Sequence, residues 1–180
     1  MSIVISILQQ NGVYLFGDKK ITFHLNGFPI QHSLITTKVF QLNDSLLCGI
    51  TGDANFGNSI VQKLKTMSNE KPSAMIDIIE NFNDKFNDHS TFILSGKYDN
   101  GLYFHYGYKT DGKKSNLEFK SSCMIALNND NQDYSISDFY YDRIDEGFSI
   151  EDSCIKTIKY ASEIDFENIS EEYDYFKIID

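Results

Sequence analysis

The chain has 180 residues, the length of one domain, and 41% of them are apolar. With 26 acidic and 16 basic residues, its formal net charge is −10 at pH 7, which argues against a nucleic acid or an anionic membrane as partner. No apolar run approaches the ~20 residues of a membrane span, and residues 1–6 lack the features of a signal peptide. The widely spaced Cys48, Cys123 and Cys154 indicate reduced core thiols. We therefore expect one cytoplasmic domain over residues 1–180.

The first fifty residues have the pattern of two β-hairpins. Residues 3–8 are apolar and β-branched, residues 10–12 are a tight-turn signal, and the returning strand ends in Asp18. After a polar stretch over residues 25–29, a second hairpin is predicted over residues 38–51. These two hairpins predict that the fold opens with antiparallel strands.

After Gly52 the spacing of apolar residues becomes helical. The first helix has Asp53 or Asn55 as its candidate cap, and its apolar stripe is Phe56, Ile60, Leu64 and Met67. The second helix opens at Pro72, and its stripe is Ile76, Ile79, Phe82 and Phe86. The later predicted elements are strands over residues 91–96, 101–106, 116–119 and 123–127, helices over 135–145 and 149–164, and a strand over 173–179.

Strands and helices thus come in blocks, which is typical of an α+β fold and not of alternating β-α-β units. Two antiparallel sheets packed face to face, with a pair of helices outside each sheet, would bury the apolar stripes of all four helices. The sequence therefore predicts a four-layer α/β/β/α sandwich.

The order and spacing of five residues resemble the signature of a known family, the β-subunits of proteasomes and their HslV-like bacterial homologues, which are N-terminal-nucleophile hydrolases. The residues that carry this resemblance are Ser2, Gly12, Asp18, Lys38 and Gly52. Counting back from Gly12 places the nucleophile on Ser2. The interval from Asp18 to Lys38 is a few residues longer than is typical of the family, which indicates an insertion near residues 27–33. The resemblance covers the chain and is specific over residues 2–64.

The resemblance implies a threonine-protease-like endopeptidase in which Ser2 replaces the usual threonine. Removal of Met1 would expose Ser2, whose hydroxyl attacks while its own α-amine, with a pKa of about 7.7–8.0, acts as the base. Lys38 would stabilise the neutral amine and the developing alkoxide, and Asp18 would orient Lys38. The backbone N–H of Gly52 would bind the oxyanion.

The same resemblance implies a groove for a peptide or an unfolded protein. Thr22 stands where the family binds an extended peptide through backbone hydrogen bonds. Ile21, Ile50 and Ala54 stand where the side-chain pocket is lined, so we expect a preference for apolar side chains. Asp165 matches a supporting aspartate of the family. The implied protein is a homo-oligomeric ring that works with an ATP-dependent unfoldase and needs no metal or organic cofactor for bond cleavage.

Two segments depart from the family pattern. Residues 127–131 replace a Gly-Ser-Gly segment and residues 168–171 replace a Ser-Gly-Gly segment, so we expect altered hydrogen-bond support around the N-terminal amine. Two alternatives follow, namely an inactive ring or scaffold subunit that keeps Met1 and a small-molecule amidohydrolase of the same fold. The four histidines lack the spacing of metal ligands and are expected on the surface or in loops, and they are His24, His32, His89 and His105.

Overall fold

A computed structural model gives the structure of the chain and describes residues 2–25, 28–81, 90–127 and 134–180. The elements are, in chain order, β1 (Ile3–Gln9), β2 (Gly12–Asp18), β3 (Lys20–Leu25), β4 (Phe28–Ile35), β5 (Val39–Asn43), β6 (Leu46–Thr51), α1 (Ala54–Thr66), α2 (Pro72–Asn81), β7 (Thr91–Lys97), β8 (Tyr103–Lys109), β9 (Ser122–Leu127), α3 (Tyr134–Asp145), α4 (Ile150–Ile164) and β10 (Tyr173–Ile179). Within those ranges, none of the helices combines the length and the apolar character needed to cross a bilayer.

Eight of these strands form two four-stranded antiparallel sheets. The first sheet has the order β10-β2-β1-β9, and the second has the order β5-β6-β7-β8. Strands β3 and β4 pair only with each other among the described residues and form a separate hairpin. Helices α3 and α4 lie on the first sheet, and α1 and α2 lie on the second. The predicted α+β sandwich of four layers is confirmed.

The alternating burial along β1 shows how the layers are held together. Ile3, Ile5 and Ile7 pack against α3 and α4, whereas Val4 and Leu8 pack between the two sheets. All five side chains are at most 1% exposed, and burial of each contributes roughly 1.5–3 kcal/mol. A strand that is buried on both faces reads as a continuous apolar run, which is why this segment was predicted so readily as a strand.

Local chemistry sets the start of two helices where the sequence indicates it. The carboxylate of Asp53 accepts the N–H of Phe56 at 2.6 Å, and the hydroxyl of Ser149 accepts the N–H of Asp152 at 3.0 Å. Each bond satisfies a backbone donor that the first turn of a helix leaves without a partner. Gly52 is therefore held between the end of β6 and the capped start of α1.

Three sequence predictions need correction or completion. Residues 116–119 form no strand, because only isolated bridges join Glu118 and Lys114 to β8. The hairpin of β3 and β4 was not predicted, because the turn-forming residues over 26–29, which include Pro29, favour a loop. Phe82 and Phe86 lie outside the described residues.

The cysteines are free, and two of them, Cys48 and Cys154, are buried as predicted.

Candidate active site

Antiparallel pairing brings four of the predicted site residues to one end of the sandwich. In the first sheet, Val4 lies opposite Gly17, so the start of β1 adjoins the end of β2. In the second sheet, Ile50 donates its N–H to the carbonyl of Lys38 at 2.8 Å, so the start of β5 adjoins the end of β6. Ser2, Asp18, Lys38 and Gly52 each flank or end one of these four strands.

A buried ion pair connects the two sheets at this end. The Nζ atom of Lys38 donates to Oδ1 of Asp18 at 2.7 Å and to Oδ2 at 2.8 Å. Asp18 is fully buried and Lys38 is 7% exposed. Gly17 makes this approach possible, since a Cβ atom there would lie 2.9 Å from Cγ1 of Val39 and 3.3 Å from Cβ of Lys38. The predicted partnership of Asp18 and Lys38 is thus present in the structure.

The same carboxylate reaches the start of the chain. Oδ1 of Asp18 accepts the backbone N–H of Ile3 at 2.8 Å, and Ile3 directly follows Ser2. Ser2 itself is 8% exposed. One carboxylate therefore connects the ammonium group of Lys38 to the backbone that carries Ser2.

The surroundings of Lys38 change its acid–base behaviour. Burial lowers the pKa of Lys38 from 10.5, and the charge and hydrogen bond of Asp18 partly oppose this effect. The nearby charge of Lys20 lowers the pKa of Lys38 further. A lysine in this setting releases its proton more readily than a lysine in water, and the carboxylate of Asp18 opposes that release.

Gly52 has a backbone conformation that other residues adopt only with strain. Its φ angle is 103°, in the region that favours glycine. The next residue, Asp53, donates its N–H to the hydroxyl of Ser90 at 3.0 Å and caps α1. The turn at Gly52 is therefore held on both sides, as an oxyanion donor requires.

A chain segment after α4, which includes residues 168–171 where the sequence departs from the family pattern, also contacts Asp18. We call residues 165–172, between α4 and β10, the 165–172 segment. The N–H of Ser170 donates to Oδ2 of Asp18 at 3.4 Å, and the N–H of Lys20 donates to the same oxygen at 3.0 Å. The family pattern pointed to residues 168–171, but backbone groups make both contacts, so no residue type specifies them.

The residues predicted to line the substrate pocket lie on separate elements. Ile21 is half-buried on β3, where Thr22 pairs with Ser33. Ile50 is 7% exposed and packs against α1, where a Cβ atom on Gly57 would lie 2.7 Å from its Cγ2. The side chains of Thr22 and Ala54 lie outside the described part of the structure.

Asp165 ends α4 and begins the 165–172 segment. Its Oδ1 atom accepts a hydrogen bond from the side chain of Asn168 at 2.9 Å, and its carbonyl accepts the N–H groups of Asn168 and Ile169. Asp165 therefore shapes the segment whose Ser170 reaches Asp18. Its predicted supporting role stays a prediction.

A second polar cluster lies between the two sheets. Oγ of Ser6 lies 2.6 Å from Oγ of Ser95 and 3.3 Å from Nδ1 of His105. Nε2 of His105 lies 3.1 Å from the carboxylate of Glu118 and 2.9 Å from the hydroxyl of Ser122. The expectation that His105 lies on the surface or in a loop is wrong, because it is fully buried on β8 with partners for both ring nitrogens. Ser6 and Ser95 are fully buried, so neither hydroxyl is accessible to a substrate, whereas Ser122 lies at the partly exposed edge of the cluster.

Acidification is expected to destabilise the fold through His105. Burial lowers the pKa of His105 from 6.5, and Glu118 only partly opposes this. The unfolded chain therefore binds a proton as the pH falls through about 6.5 while the folded chain resists it, so stability is lost in that range. Urea unfolding of wild type and His105→Gln at about pH 7.5 and about pH 5.5 measures this. We expect the larger loss in wild type, and equal losses in the two proteins would contradict the assignment.

Within the described residues, no group of three or more His, Cys, Asp or Glu side chains is placed to hold a metal ion. The groups that meet at this end of the sandwich are a hydroxyl, a carboxylate, an ammonium and backbone N–H groups. Such a set suits acyl transfer, in which charge develops on oxygen and protons move between nearby groups.

The fold has a counterpart among solved structures. The chain is similar to the crystal structure of eukaryotic HslV from Trypanosoma brucei, with a TM-score of 0.74 over 99% of each chain and a sequence identity of 16%. No family model matches the sequence, and no curated protein matches it. The two antiparallel sheets and four helices are thus those of the HslV fold, as the sequence resemblance implied.

Proposed function

We propose that this chain, which has the HslV fold, is a peptidase that cleaves peptide bonds with Ser2 as its N-terminal nucleophile. The observation that carries the proposal is the buried link from Lys38 through Asp18 to the backbone of Ile3. Burying an ion pair is costly unless both charges are well satisfied, and here the pair lies beside Ser2, whose neighbour Ile3 donates its N–H to the same carboxylate. The fold alone would not support an activity.

In the proposed first half of the reaction, Met1 has been removed and Ser2 carries the free α-amine. The amine takes the hydroxyl proton of Ser2 as its oxygen attacks the carbonyl carbon of the peptide. The oxyanion of the tetrahedral intermediate accepts a hydrogen bond from the N–H of Gly52. The intermediate collapses when the protonated amine gives its proton to the leaving nitrogen, which leaves an ester on Ser2.

In the second half, a water molecule attacks the ester carbonyl while the same α-amine takes a proton from the water. Collapse returns that proton to the oxygen of Ser2 and releases the carboxylic acid product. Lys38 and Asp18 stabilise the charges of both halves from a fixed position, because the ion pair is buried. Overall, one peptide bond and one water give a carboxylate and an amine.

The substrate of this proposal is an extended peptide with apolar side chains. Its backbone would pair with β3 at Thr22, and Ile21, Ile50 and Ala54 would line the pocket for the side chain before the cut. Of the lining side chains that the structure describes, that of Ile50 has the smallest exposed fraction, because it packs against α1. We therefore expect the pocket to be shallow on the side that faces α1.

The proposed assembly follows the resemblance. A homo-oligomeric ring in the cytoplasm would enclose the sites, and an ATP-dependent unfoldase would deliver folded substrates. The proposed cleavage uses only groups of this chain and requires no metal or organic cofactor.

A removable N-terminal tag tests the proposal, because nucleophile and base must belong to the first residue. The tagged protein should not cleave short apolar fluorogenic peptides, and removal of the tag to leave Ser2 first should start cleavage. Intact mass confirms which residue is first. Equal turnover before and after tag removal would exclude the N-terminal mechanism, and absence of turnover in both would favour a scaffold subunit.

A further inference from the structure

We propose that Lys20 is a positioning residue of the candidate active site, because its side chain holds the 165–172 segment beside Asp18 through a hydrogen bond. This inference rests on the proposed function and adds a residue to the same site. Nζ of Lys20 donates to the carbonyl oxygen of Phe166 at 2.5 Å, and the N–H of Lys20 donates to Oδ2 of Asp18 at 3.0 Å. One residue thus binds both the carboxylate and the segment that must reach it.

Lys20 holds the first turn of the 165–172 segment, whereas the N–H of Lys19 holds its later part by donating to Oγ of Ser170 at 3.3 Å and to the carbonyl of Glu172 at 3.0 Å. The side chain of Phe166 is 72% exposed, so it does not anchor the turn in the core, whereas Ile169 is 1% exposed and anchors the later part. The contact that the segment makes with Asp18, from the N–H of Ser170, is long at 3.4 Å. A small movement of the segment would therefore break it.

The charge of Lys20 has a second effect on the site. Burial is the largest cause of the lowered pKa of Lys38, and the charge of Lys20 lowers that pKa further. The hydrogen bond to Phe166 determines where the charge of Lys20 lies.

Kinetic constants of three variants test the inference. Lys20→Met removes the donor and the charge, Lys20→Arg keeps both, and Lys177→Met is the matched control, since Lys177 pairs with Glu151 on the surface at 2.7 Å. For an apolar fluorogenic peptide, we expect Lys20→Met to lower kcat at least about tenfold with KM within about threefold. We expect Lys20→Arg to keep most of kcat and Lys177→Met to match wild type.

Hydrogen exchange over residues 166–170 provides a readout that does not depend on cleavage. Faster exchange there in Lys20→Met, but not in Lys20→Arg or Lys177→Met, supports the role of Lys20 in holding the segment, whereas failure of the proposed function is recognised separately by the absence of cleavage in wild type. If residues 166–170 exchange at the wild-type rate in Lys20→Met, the inference is overturned. A wild-type kcat in Lys20→Met, or an equal loss in Lys177→Met, overturns it as well.

Discussion

Replacing Ser2 by alanine is expected to lower the rate of peptide cleavage by at least about 10³-fold, because no other group would form the acyl ester. Ser2→Thr should keep substantial activity, because threonine retains both the hydroxyl and the α-amine. All three residues are small, so Met1 should be removed from each protein, which intact mass checks. Steady-state turnover of a short apolar peptide gives the comparison.

The Ser2 variants should remain folded, because the side chain is small and β1 keeps its apolar residues. Circular dichroism and urea unfolding of the variants provide this control. Equal turnover by wild type and Ser2→Ala, with both proteins folded, would show that the nucleophile lies elsewhere.

Replacing Lys38 by methionine is expected to reduce both activity and stability. The variant leaves the carboxylate of Asp18 buried without its cation, which typically costs about 3–5 kcal/mol of unfolding free energy. Loss of the cation beside the reacting groups should lower kcat by about 10²-fold or more. Urea unfolding and peptide turnover measure the two effects separately.

The double variant Asp18→Asn with Lys38→Met distinguishes two effects. One is the loss of stability caused by the unpaired charge of Asp18, and the other is the loss of peptide cleavage. Removing both charges should restore a large part of the stability lost in Lys38→Met, since the remaining amide can still meet the N–H of Ile3. Activity should stay low in the double variant, because the ammonium group is absent. Recovery of cleavage together with stability would mean that the ion pair is only structural.

Local patterns in the sequence were sufficient to predict most of the strands and helices of the fold. The mostly apolar run over residues 3–8, interrupted only by Ser6, predicted β1 because a strand buried on both faces lacks regular polar alternation. The stripe from Phe56 to Leu64 and the cap at Asp53 predicted α1, since helix starts are decided within one turn. Strand β3 alternates polar and apolar residues from Lys20 to Leu25, a pattern typical of a strand, and the turn signals after it, up to Pro29, obscured its hairpin with β4.

The residues along the first two hairpins carried the resemblance that implies Ser2, Asp18 and Lys38 as members of one site. The contacts of Asp18 with Ser170 and of Lys20 with Phe166 could be found from the tertiary structure alone. It also decided that His105 is buried. The physical reason is that these contacts join residues far apart in sequence, partly through backbone N–H and carbonyl groups that every residue shares.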